Sequence, residues 1–152
     1  MTRFLASVAC LVLSLAAPAA AQNEGVGSIQ LKPGVCTAAK AKTLTLEALL
    51  ATPDAFERQC VRVRGVAAGT IVYADQAGYE RAMGPAGGRV GRIGLYGDPA
   101  LLETLPQRPT PTEVVGQVAL CGGRPFIAGY CHSVADGVIL IAGETRTIPE
   151  SP

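Results

Sequence analysis

Alternation of apolar and polar residues is the dominant pattern in the middle of the chain. In CVRVRGV, Val61 and Val63 alternate with Arg62 and Arg64, so the pleat puts the valines on one face and the arginines on the other. That predicts a half-buried strand. AGTIVYA, residues 68–74, predicts a second strand after a bend over Gly65–Gly69, and RIGLY, residues 92–96, a third with Ile93 and Leu95 on one face. EVVGQVALC, residues 113–121, alternates as a fourth, and GVILIA, residues 137–142, is an apolar fifth. Helical spacing occurs ahead of them: Leu46, Leu49 and Leu50 fall on one face, and Thr52-Pro53-Asp54 predicts a cap and a second short turn ending at Phe56. Asp98-Pro99 predicts a cap for a short helix bearing Leu101, Leu102 and Leu105, which Pro106, Pro109 and Pro111 stop. Met83–Gly91 (MGPAGGRVG) reads as loop; it lacks the Lys-Ser/Thr of a phosphate loop.

Three strands, a short helix and two strands, with an extra helix in front, is the element order of an OB-type barrel. The fold expected is therefore mainly β: a small five-stranded OB-like barrel with a leading N-terminal helix and a short helix between strands three and four. Closure suits strands this short, which could not bury both faces of an open sheet in so small a domain. The alternative is another small α+β sheet with a helix on one face. Val61, Val63, Ile93, Leu95, Val114, Val118, Ile139 and Ile141 are expected inside, Arg62 and Arg64 outside.

The N-terminus reads as an export signal. A short positive start containing Arg3 precedes the apolar run Phe4–Ala17, and Ala19 and Ala21 fit the small-residue rule for cleavage before Gln22. An uncleaved anchor is the rival, weakened by the absence of a basic stop; acylation at Cys10 is disfavoured because the best of the apolar run follows it. Expected boundaries are a signal peptide over 1–21, a flexible segment or strap pinned by Cys36 over 22–42, the barrel over 43–145 and a disordered tail over 146–152. The localisation this implies is periplasmic or secreted, with membrane contact only through an uncleaved signal.

Four cysteines then remain, Cys36, Cys60, Cys121 and Cys131, and an even number in an exported domain predicts two disulfides. Pairing neighbours, Cys36 with Cys60 and Cys121 with Cys131, closes loops worth about 3 kcal/mol each. The OB topology suggests a competing connectivity, Cys60 with Cys121 and Cys36 with Cys131. No C-x-x-C or haem-binding spacing is present, so redox, metal and cofactor roles have no sequence support.

Charge removes another class. Losing residues 1–21 takes away Arg3 and no acid, so 12 basic residues meet 12 acidic ones and no nucleic-acid partner is expected. His132 is the only histidine and so the only side chain with an ordinary pKa near neutrality. No G-x-S-x-G elbow accompanies it, and no catalytic residue is assigned. Candidate ligand contacts are His132, Tyr130, Arg62, Arg64 and Arg124. LLATPDAFERQCVRVRGV, IGLYGD, VVGQVALC and GYCH (Gly129–His132) together resemble secreted proteobacterial OB-fold-like proteins carrying a GYCH motif, over roughly residues 44–142. That resemblance implies a fold and a compartment, and no reaction. The expected function is a disulfide-stabilised binding domain without cofactor or metal, for a protein or small anionic ligand. Its alternatives are a small hydrolase or metal-dependent enzyme centred on His132, and a structural or envelope interaction module.

Overall fold

The computed structural model describes residues 31–32, 34–85, 87–88, 91–121 and 137–149. Six strands occur among them: β1 (Lys42–Thr45), β2 (Cys60–Ala68), β3 (Ile71–Tyr73), β4 (Arg92–Gly97), β5 (Thr110–Leu120) and β6 (Val138–Thr147). The helices are α1 (Leu46–Ala51), α2 (Gln76–Met83) and α3 (Pro99–Leu102), with a 3₁₀ turn over Pro53–Phe56. β2 pairs antiparallel with β3, β3 with β4, and β5 with both β6 and β2, while β4 and β6 run parallel. The ring β2-β3-β4-β6-β5 returns to β2, so the sheet is a closed five-stranded barrel of the OB-like kind, and β1 is added in parallel to the outer edge of β2.

Alternation builds the core. Val61, Val63, Val72, Ile93, Leu95, Val114 and Val118 point inward with Val138 and Leu140, and α1 closes one end with Leu46 and Leu49. Thr45 caps α1, its hydroxyl accepting from the Ala48 amide at 3.1 Å. Gly65 occupies an inward position of β2 where a Cβ would lie 2.2 Å from the Tyr73 carbonyl oxygen, so only glycine lets β3 cross that close.

All eight positions expected inside are buried, but two lie on the other side of the sheet. Ile139 and Ile141 belong to a smaller cluster with Ala119, against Leu31 and Tyr96, while Val138, Leu140 and Ala142 take the inward phase of β6. An all-apolar run has no phase to read. The strand expected over residues 68–74 is shorter: β2 continues through the expected bend to Ala68, and the turn falls at Gly69-Thr70. Neither β1 nor α2 is foreseen by the pattern, and β6 takes in Arg146 and Thr147, which the pattern leaves to the tail.

Residues 34–41 cross the outside of the barrel as a strap. Cys36, buried, is bonded to Cys60 at the start of β2 with their Cα atoms 5.3 Å apart. This excludes the connectivity that pairs Cys60 with Cys121. Cys121 is also disulfide-bonded; Cys131 lies outside the described residues. The strap rests on Gly143, where a Cβ would stand 2.9 Å from the Cys36 carbonyl oxygen.

Candidate functional site

The outer wall of β2, β5 and β6 carries an ordered polar array. Arg64 pairs across the sheet with Glu113, and Glu113 with Arg146, giving one rung Arg64–Glu113–Arg146; the next rung is Arg62–Val115–Glu144. Strict alternation along β6 would not produce this. The register shifts where Val115 opposes Glu144 and Gly116 opposes Ala142, leaving Gly143 as an extra residue. Such a bulge re-aims the side chains that follow it, and here Glu144 and Arg146 come onto the face that Glu113 occupies.

Glu113 is the centre of the array. Arg64 donates from Nε to its Oε2 at 2.9 Å, and Arg146 from Nη2 to its Oε1 at 2.9 Å. Arg62 stands further off, Nε to Oε1 at 3.8 Å, an ion pair without a hydrogen bond. The Glu113 side chain is 7% exposed, against 65% for Arg64 and 69% for Arg146. The hydrogen bond from Arg64 holds the carboxyl below its ordinary pKa; desolvation works against this, and the charges of Arg146, Arg62 and Arg64 add to the lowering. Glu113 is therefore ionised at neutral pH, and three cations surround it.

Arg62 is on the outer face as expected but is half-buried, because the strap covers it. Its Nη2 donates to the Ala38 carbonyl at 2.7 Å, and the Ala38 amide donates to Glu144 Oε1 at 3.2 Å. The two ends of the second rung thus grip both main-chain groups of one strap residue. Among the described residues Arg62 Nε, which is buried, has no hydrogen-bond partner. A groove of about 560 Å³ opens beside the array, lined by Ala38, Arg62, Glu113, Val115, Glu144 and Arg146 among others. A second groove, of about 440 Å³, lies across Arg62 and Arg64 toward β1.

Of the residues singled out from the sequence, the structure brings Arg62 and Arg64 together on this wall. Arg124, Tyr130, Cys131 and His132 lie outside the described residues. The segment carrying them leaves from Cys121 and returns at Gly137, whose carbonyl accepts from the Cys121 amide at 2.8 Å, at the other end of β5 from Glu113. Tyr73 and Tyr96 offer little stacking surface: Tyr73 is buried edge-on against Tyr79, and Tyr96 packs beside Ile139 and Ile141. Glu113, Glu144, Arg146 and the Ala38 main chain are the parts sequence reading missed. Glu113 had a signal: it lies in the polar phase of its strand, and pairing the first and fourth barrel strands would have set it beside the arginines. Ala38 acts through backbone atoms and had none.

Among the described residues no group of three or more His, Cys, Asp or Glu side chains is placed to hold a metal, and no helix is long and apolar enough to cross a membrane. No protein-family model matches the chain, and a search of curated proteins returns no match.

Proposed function

We propose that this chain is an exported, disulfide-stabilised binding domain, without catalysis of its own, that presents the outer wall of β2, β5 and β6 to its ligand. The carrying observation is the Arg64–Glu113–Arg146 rung, three adjacent cross-strand residues fastened to one another beside an open groove. A barrel interior packed with side chains leaves recognition to the outside of the sheet and the loops. Glu113 is kept ionised, which makes it a poor proton donor and suits the wall to recognition rather than acid catalysis. The signal-like start over 1–21 and the Cys36–Cys60 bridge support export to an oxidising compartment, periplasmic or extracellular.

Two measurements test the two halves of this reading. Intact-mass analysis of protein expressed with its own N-terminus should give a chain beginning at Gln22, with no thiol labelled before reduction. A mass retaining residues 1–21, or labelled thiols, would reject export and oxidation. For binding, thermal melts against a panel of anionic, neutral and cationic small molecules should show a melting point that rises with the concentration of at least one class. A melting point unmoved by every class at millimolar concentration would reject the binding role.

A further inference from the structure

We infer that the groove beside the Arg64–Glu113–Arg146 rung is a site for a small molecule carrying a carboxylate or phosphate group, held by Arg146 and Arg62; this names the ligand class of the binding-domain reading and rests on it. The site is rich in donors and poor in unengaged acceptors. Each guanidinium has five N–H groups. Among the described residues Arg64 and Arg146 each make one hydrogen bond, to Glu113, and Arg62 makes one, to the Ala38 carbonyl. Both oxygens of Glu113 accept from arginines, with a third arginine at 3.8 Å, and one oxygen of Glu144 accepts from the Ala38 amide. The groove's charged lining is Arg62 and Arg146 against Glu113 and Glu144; Arg64, bonded to Glu113 from outside the groove, leaves the wall one net positive charge, which a single oxyanion group neutralises. Such a group has only acceptors to offer, and a guanidinium fork matches two of its oxygens at once.

Glu113 has a second effect beyond charge. Its hydrogen bond with Arg146 holds that side chain against the wall, so the remaining N–H edges of this well-exposed groove residue are positioned before a ligand arrives. Long, mobile side chains ordered only on binding would weaken it; here the ordering precedes binding. The groove has the volume of a small-molecule site, with apolar Val115 and the strap residue Ala38 among its lining. The strap is locked two residues away by the Cys36–Cys60 bridge, so Ala38 and the guanidinium it holds keep their place.

The test uses the mature, oxidised protein and two probes, sodium succinate and inorganic phosphate, titrated at matched ionic strength by calorimetry and by amide chemical shifts. At least one probe should bind, with shifts concentrated at residues 113–116 and 143–146. Arg146→Gln should weaken it tenfold or more, Arg62→Gln should weaken it as well, and Arg81→Gln on α2 should leave it unchanged. Binding that survives both wall substitutions, or shifts centred elsewhere, would overturn this site while leaving a binding domain. Failure of both probes where a neutral or cationic panel member binds would overturn the anion class alone. Failure of every compound would overturn the binding-domain reading too. Unfolding curves of the variants separate lost binding from lost fold.

Discussion

Neighbouring residues of β2 meet opposite surroundings. Val61 and Val63 are fully buried in the barrel, whereas Arg62 and Arg64, one position along, lie on a wall of salt bridges and open groove. The inner face is held by shape and apolar area, so damage there is paid in stability. The outer face is held by ion pairs whose arginine ends are exposed to water and whose shared carboxylate, Glu113, is buried, so substitutions at the arginines should cost less than cavities inside. On the proposed reading, the exposed ends of this array are there to meet a ligand.

The sharpest way to break that contrast is to damage each side in turn. Leu140→Ala empties a fully buried position on the inward phase of β6 and should cost about 3 kcal/mol in urea unfolding. Replacing Cys36 and Cys60 together with Ala should cost nearly as much, about 3 kcal/mol, because the bridge closes a long loop of the unfolded chain. A loss below 1 kcal/mol would mean that the strap is held by its other contacts. Gly143→Ala forces a Cβ against the Cys36 carbonyl and should cost about 1.5 kcal/mol.

Acid tests the rung itself. The folded protein holds the Glu113 carboxyl below its ordinary pKa, so the stability this contributes is present above the unfolded value of about 4.3 and is lost as pH falls through the lower, folded one. Wild-type stability should therefore drop more steeply below about pH 4.3 than that of Glu113→Gln. Parallel acid curves for the two proteins would remove Glu113 from the account. Least affected should be Arg64→Gln, at about 1 kcal/mol in the same unfolding assay, because Arg146 still bonds the buried Glu113 carboxylate.

How much of this was legible follows from where periodicity exists. The phases of β2, β4 and β5 could be read because valine, isoleucine and leucine alternate there with other residues, and those phases place Arg62 and Arg64 on the wall. Strand β1 spans only Lys42–Thr45 and pairs in parallel with a distant partner, too short for alternation to register. Helix α2 buries none of its residues, so no apolar stripe announces it; Asp75, whose carboxylate accepts from the Gly78 amide, was the available sign. In β6 the apolar run concealed the phase, and the Gly143 bulge reverses it just before Glu144 and Arg146. Half of the wall was therefore hidden by one inserted residue.

Amide hydrogen exchange with and without saturating succinate or phosphate, whichever raises the melting point more, tests most directly whether this wall is the binding face. Added protection should be confined to the strap over residues 34–41, to 62–64, to 113–116 and to 143–146. Protection gained instead on β3 and β4, with these segments unchanged, would contradict the account and place recognition on the opposite side of the barrel.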